Sequence, residues 1–318
     1  MATTTQRPAA APPSTRDLLT RPDRRRHLTD RAMQGVVTLA FLLALVPLIS
    51  LVWTVVANGI ERLSPYFFVV SMRGVFGGMD AGGIYHAIVG TLMVTGFATL
   101  ISVPIGLLTA IYLVEYGRGS LARAVTFFVD VMTGIPSIVA GLFAYALFAV
   151  FFGPGVRFGV VGAVALSVLM IPVVVRSSEE MLRLVPNELR EAAYALGVPK
   201  WLTILKVVLR TAAAGIVTGV MLAIARVIGE TAPLLITLGV IDSINYNLFE
   251  GRMMTLPVYV FRQYSQGLVP CSPDQLDCIA TINYDRAWAA ALVLIGIVLL
   301  LNLLARLVAR YFAPARGH

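Results

Sequence analysis

Met221-Leu222-Ala223-Ile224-Ala225-Arg226-Val227-Ile228-Gly229-Glu230-Thr231-Ala232-Pro233-Leu234-Leu235 reads as a membrane-spanning helix with an arginine and a glutamate inside an apolar run. A charge at bilayer depth costs at least ~3 kcal/mol on insertion scales, so chains keep one only where it meets a wet cavity, a partner charge or a cargo. Arg226 and Glu230 are four residues apart, which puts them on one face of a continuous helix. Counted from Ala212 at ~1.5 Å per residue, Arg226 lies ~21 Å along the span, too deep to snorkel back to the surface it started from. Thr231 adds a hydroxyl donor. Pro233 deprives the carbonyl near Gly229 of its usual partner, which favours a local kink.

Composition agrees with a membrane setting. The 318 residues are 58% hydrophobic and 13% charged, against about 25% charged in soluble domains. The net charge of +8 resides in short basic loops between apolar runs, as a membrane surface requires. The three histidines, His27, His86 and His318, show no metal-ligand spacing, and there is no phosphate-cradling glycine loop, nucleophile elbow or catalytic carboxylate pair. The chain reads as a non-enzyme.

In order, residues 1–31 are rich in Thr, Pro, Ala and Arg and predict a disordered basic tail. Residues 32–83 hold a first span, about Met33–Ala57, with Trp53 near its far end, and a following loop. The run is too long for a signal-peptide core. Residues 84–318 hold five further apolar segments, each near the ~20 residues that cross a bilayer: Tyr85–Tyr112, Ala124–Phe151, Gly159–Val175, Ala212–Val240 and Ala287–Phe312. The fold class is therefore all-α, a polytopic protein of six transmembrane helices. Gly134-Ile135-Pro136-Ser137 and Gly141 predict that the third is bent or locally opened.

Eighteen Lys and Arg fall on the side of the N-terminus and six on the other, which predicts both termini in the cytoplasm. Cys271 and Cys278 then face outward, where a disulfide is chemically allowed. Spacing alone leaves open whether they are bridged or are two reduced thiols.

The cytoplasmic loop 176–210 is long for a compact bundle and has structure of its own. Leu189–Leu196 consists of good helix formers, with Asn187 as N-cap and Glu188 and Glu191 complementing the helix N-terminus. Gly197 suits the left-handed position after the helix, and Pro199 suits the start of a second helix, Lys200–Arg210, that runs into the fifth span. The product is a rigid helix–turn–helix elbow; on generic features alone, a solvated loop at the membrane surface is the better reading.

Glu191-Ala192-Ala193 followed by Gly197 resembles the EAA loop of permease subunits of binding-protein-dependent ABC importers. That family ends the loop with Ile-x-Leu-Pro, where this chain has Val207-Val208-Leu209-Arg210. Three longer strings resemble the PstA-type phosphate permeases in particular: Met181–Pro186 leading into Leu189–Trp201, Ile135–Phe143, and Ala223–Leu235. A charged residue in place of the proline also fits that subgroup. The likeness covers about residues 84–312.

The resemblance implies a type I ABC importer permease fold, with Glu191, Ala192, Ala193 and Gly197 in a coupling helix that docks on a separate ATPase. It further implies a PstC-type second permease, a PstB-type ATPase dimer carrying ATP and Mg, a PstS-type extracytoplasmic binding protein, and inorganic phosphate as cargo. No cofactor is expected on this chain. Arg226 would compensate the anion, its planar fork matching phosphate oxygens, while Glu230 keeps binding from becoming too tight. Ser137 and Thr231 would line the same path. A buried Arg226–Glu230 ion pair that holds the bundle together is the structural alternative. Asp130 suits an interhelical contact or capture of a loop arginine. Two other classes compete: an ion-coupled secondary anion transporter with Glu230 or Asp130 carrying a proton, and a membrane sensor or scaffold without transport. Within the importer class, sulfate or molybdate could replace phosphate as cargo.

Overall fold

The computed structural model describes residues 24–272 and 277–312. Residues 1–23 of the expected tail and residues 313–318 lie outside the described residues. Helix α1, Arg24–Gly59, starts before the expected span because no proline or glycine follows Pro22 until Gly35, and the arginines can keep their charges in water. Residues 24–31 are thus helical rather than part of the tail. Up to Thr54, α1 belongs to a unit of its own, separate from the unit that begins at Val55. Its apolar side chains are exposed, as a lipid-facing helix requires.

The second unit opens with α1's last residues and a short helix α2, Pro65–Val69, capped by the Ser64 hydroxyl. Helix α3, Tyr85–Ile111, ends in a π-helical turn over Tyr112–Tyr116. The expected third span is not one helix. It is α4, Gly119–Thr133, and α5, Ser137–Phe152, meeting at 109°. Gly134 ends α4, and Pro136 cannot donate into a continuing ladder, so the chain restarts at Ser137.

Helix α6, Gly159–Arg183, extends eight residues past the apolar stretch read from sequence. The elbow follows as α7, Asn187–Ala195, and α8, Lys200–Thr203. A second π-helical turn, Ile204–Val208, joins α8 to α9, Leu209–Val227. Lys200–Val227 is thereby one span of 28 residues. The chain breaks at Ile228–Thr231, and a short helix α10, Ala232–Thr237, follows. Helices α11, Leu256–Gln266, and α12, Ile282–Phe312, are the last among the described residues.

Among the described residues, five helices are long and apolar enough to cross a membrane, or six if α4 and α5 form one broken span. No strand occurs among the described residues, where one isolated antiparallel bridge pairs Met79 with Cys278.

The core lies between α3 and α6, with Val94, Ala98, Leu166, Met170 and Val174 buried. Apolar lipid gives no hydrophobic drive between helices, so close backbone approach through small residues provides the packing. Gly106 makes room for Val174, Gly219 for Ser177, and Gly141 for Pro233. The last is the tightest constraint on the broken helices. A Cβ at Gly141 would lie 2.6 Å from Pro233 Cα, a backbone atom that cannot swing aside.

Gly141→Ala should therefore destabilise the protein by about 1–3 kcal/mol through overpacking. Thermal unfolding in detergent would show a lower midpoint, whereas Gly35→Ala, with nothing within 4 Å of the new methyl, should not lower it.

Candidate translocation site and docking elbow

Two regions hold the candidate residues, at the two ends of the Lys200–Val227 helix. At its far end, Val227 is the last helical residue, and Glu230 N–H turns back to Val227 O at 3.1 Å. Glu230 therefore does not share a helix face with Arg226, because the helix stops between them. The cause is local: Gly229 has no Cβ to hold the helical conformation, and Pro233 cannot donate to it.

The helix also starts at Lys200 rather than Ala212, so Arg226 sits about 39 Å along it, at the end remote from the elbow rather than near the middle. Arg226 is exposed and Glu230 half-buried, and neither has an ion-pair or side-chain hydrogen-bond partner among the described residues. The expected alternative of an Arg226–Glu230 ion pair is thus absent from the structure.

Thr231 is half-buried and precedes α10, its carbonyl accepting from Leu235 N–H at 2.9 Å. Ser137 is half-buried at the first position of α5. The Gly141–Pro233 contact packs the first turns of α5 and α10 together. Ser137 and Thr231 thus belong to one helix junction, and Arg226 to the helix that leads into it.

The elbow forms at the opposite end. Helix α7 begins at Asn187 with Pro186 before it, so Asn187 is not the N-cap; its Oδ1 instead accepts from Arg190 Nη1 at 3.3 Å. Proline's fixed, extended backbone makes the entry without a capping side chain. Gly197 takes φ 77°, and the N–H groups of Gly197 and Val198 return to Tyr194 O and Ala193 O. These bonds satisfy the last carbonyls of α7 and turn the chain sharply into Pro199. Ala193 is buried, whereas Glu191, Ala192 and Gly197 are exposed. Leu184, Leu196, Trp201 and Leu205 expose large apolar surfaces around them.

Charges secure this end. Arg190 donates from Nε and Nη2 to Glu115 Oε1 at 3.1 and 3.0 Å, from Nη1 to Val185 O at 2.6 Å and from Nη2 to Leu182 O at 3.0 Å. The two side chains are only 12% and 6% exposed, so removing one partner strands a buried charge, typically at a cost of about 3–5 kcal/mol. On α6, Glu179 accepts from Arg176 at 2.8 Å and from Arg183 at 2.6 Å. Arg176 also reaches Asp130 on α4, the arginine capture considered for that residue.

The Glu115–Arg190 pair is not legible in the sequence. The two are 75 positions apart, and no local spacing signals such a pair.

At the end away from the elbow, Cys271 and Cys278 form a disulfide with Cα atoms 5.7 Å apart. Cys278 lies beside Met79, just before α3 begins, whereas α3 ends against the elbow. Arg286, 2% exposed on α12, donates to Met79 O at 2.7 Å and to Ala81 O at 2.8 Å, which fixes the same loop. Asp80 in that loop pairs with Arg62 at 2.7 Å.

The comparisons with known proteins bear on this arrangement. Residues 102–318 match the family model of binding-protein-dependent transport system inner membrane components. The chain belongs to that family of membrane permeases. Within it, the chain groups with the PstA-type proteins. It is 47% identical over 279 residues to the phosphate transport system permease protein PstA 1 of Mycobacterium tuberculosis (strain CDC 1551 / Oshkosh), with 87% of each chain covered. The PstA protein of Pasteurella multocida (strain Pm70) is 40% identical over 279 residues, covering 86% of this chain and 92% of its own length.

Among solved structures, a chain of a bacterial alginate ABC transporter in complex with a pentasaccharide-bound periplasmic protein superposes with a TM-score of 0.62. It is 14% identical, with 92% of this chain and 98% of that chain covered. A chain of the inward-facing MetNI methionine ABC transporter gives a TM-score of 0.53 at 20% identity, covering 73% and 94%. These identities speak for the fold, that of ABC importer permeases.

The disulfide yields a direct prediction. Alkylation of the denatured, unreduced protein should add no label, and alkylation after reduction should add two, read as mass shifts of the intact chain.

Proposed function

We propose that this chain is the membrane-spanning permease subunit of an ATP-driven inorganic phosphate importer. The observation that carries the reading is the unbroken helix Lys200–Val227, which joins a helix–turn–helix elbow at one end to Arg226 and a helix break at the other. The names of its relatives, which are phosphate permeases at 40–47% identity, support phosphate as the cargo.

In this reading both termini and the elbow face the cytoplasm, and the disulfide-closed loop faces outward. The basic bias of the elbow-side segments supports that orientation, as does a disulfide at the other end, since disulfides persist in oxidising compartments. Glu191, Ala192 and Gly197 present the exposed face of the elbow to a partner ATPase, with Ala193 buried beneath. Leu184, Leu196 and Trp201 supply the apolar surface such docking needs. ATP and Mg bind the partner, and this chain carries no cofactor. The assembly comprises a PstC-type permease, two PstB-type ATPases and a PstS-type binding protein that delivers phosphate from outside.

Arg226 is the anion-compensating group. A phosphate entering low dielectric needs positive charge and directed donors, and an arginine without an internal carboxylate partner has its fork available. Thr231 and Ser137 line the α5–α10 junction beyond it. Glu230 limits affinity so that the anion leaves again.

Vesicles containing the assembled complex and its binding protein should take up labelled phosphate only with ATP, should ignore an uncoupler, and should resist competition by excess sulfate. Uptake that collapses with the uncoupler and needs no ATP would establish ion coupling instead; equal competition by sulfate would move the cargo to another oxyanion. Arg226→Ala should lower uptake by roughly 10–100-fold, the effect of losing a hydrogen bond to a charged group worth about 1.5–3 kcal/mol, with Arg226→Lys intermediate. Glu230→Gln should lower both KM and the maximal rate. A wild-type rate for Arg226→Ala in a fully assembled complex would remove Arg226 from the path.

A further inference from the structure

We propose that Glu115 and Arg190 form a mechanical latch, so that the elbow drives two membrane helices, α3 and α9, rather than α9 alone. This rests on the elbow's docking role proposed above. Both limbs of the elbow grip one turn of α3. Helix α7 does so through Arg190, whose Nε and Nη2 both donate to Glu115 Oε1. Helix α8 does so through Lys200, whose ammonium donates to the Glu115 backbone carbonyl and stands 4.5 Å from the centroid of the Tyr116 ring.

The gripped turn is the π-helical segment Tyr112–Tyr116. Such turns are rare and concentrate at functional sites. The other π-helical turn, Ile204–Val208, lies where the elbow enters α9, so each route out of the elbow begins with one.

Arg190 is also bonded to Leu182 O, Val185 O and Asn187, contacts that fix α7 onto the end of α6. Those bonds hold α7 in place without Glu115, whose carboxylate neutralises the buried Arg190 charge. What the Glu115 bond adds is a connection to a helix 75 positions earlier in the chain.

Helix α3 carries the connection across the membrane to the segment that follows α10. Gly90 lies against the Met254 carbonyl, which a Cβ would approach to 2.0 Å. The buried Thr91 hydroxyl accepts from Leu256 N–H at 2.8 Å. The two routes therefore converge. Helix α9 ends at the Ile228–Thr231 break, and α3 holds Met254 and Leu256 on the other side of the 232–253 segment. Glu115 and Arg190 are positioning residues in this scheme and touch neither phosphate nor ATP.

The test is the number of phosphates imported per ATP hydrolysed by the complete complex with its binding protein in proteoliposomes. Glu115→Ala keeps the bonds of Arg190 to Leu182 O, Val185 O and Asn187 and removes the grip of α7 on α3, leaving only the Lys200 contacts. It should lower the ratio about tenfold or more, the effect of losing the two Arg190 hydrogen bonds to the carboxylate. Glu115→Gln keeps a carbonyl acceptor for Arg190 and should fall between Glu115→Ala and wild type.

A wild-type ratio in Glu115→Ala, with the ATPase copurifying normally, would overturn the latch. Loss of the copurifying ATPase in Glu115→Ala and Glu115→Gln alike would also overturn it, by assigning the pair to assembly. Absence of ATP-dependent phosphate uptake by the wild-type complex would instead contradict the importer reading itself, so the two failures are distinguishable.

Discussion

Inside a bilayer every backbone N–H and C=O must find a partner within the protein, and this single demand shapes the chain. It is met for 28 consecutive residues from Lys200 to Val227, then suspended at Ile228–Thr231. It is suspended again at Gly134–Pro136, between α4 and α5. Irregular backbone at membrane depth is tolerated only where protein buries it or it lines a cavity. Here the helices that follow the two interruptions, α5 and α10, pack on one another through Gly141 and Pro233. The broken segments therefore share their environment, and the continuous helix between elbow and break becomes the element able to move them.

The ionic groups follow the same division. Glu115–Arg190 and the Asp130–Arg176–Glu179–Arg183 chain of contacts consolidate the elbow end. At the opposite end Arg62–Asp80 and Arg262–Asp242 pair, and Arg286 donates to the backbone carbonyls of Met79 and Ala81 beside the disulfide. Both ends of the bundle are thus tied internally. Arg226, on the helix that joins them, has no such tie among the described residues. A guanidinium of this kind suits a transient partner better than a fixed one.

Much of this was legible in the sequence, for identifiable reasons. Spans are long apolar runs whose signal is local, and the elbow carries its own punctuation in Pro186, Gly197 and Pro199. The proline and glycine at 134–136 and 229–233 correctly marked interruptions. Their severity was not readable, because a 109° turn depends on what α5 packs against and not on Pro136 alone. Helix bounds erred where polar residues remain helical: Arg176–Arg183 extend α6, and Lys200–Arg210 belong to the fifth span. Counting the span from Ala212 displaced Arg226 from the far end of its helix to the middle, and continuing it past Val227 put Glu230 on a face it does not share. Glu115–Arg190 and the loop held by Arg286 were invisible, since each joins residues brought together only by the tertiary fold.

In the proposed function, Lys200–Val227 acts as a rigid lever between the elbow and the α5–α10 junction. This role is tested most directly by spin-label distances in the complete complex, with and without trapped nucleotide. Exposed Leu205 and Leu222 lie on the lever, and exposed Leu142 lies on α5. Trapping nucleotide should leave the Leu205–Leu222 distance unchanged and change the Leu222–Leu142 distance. A changed Leu205–Leu222 distance, or two static distances in a complex that transports, would contradict the lever.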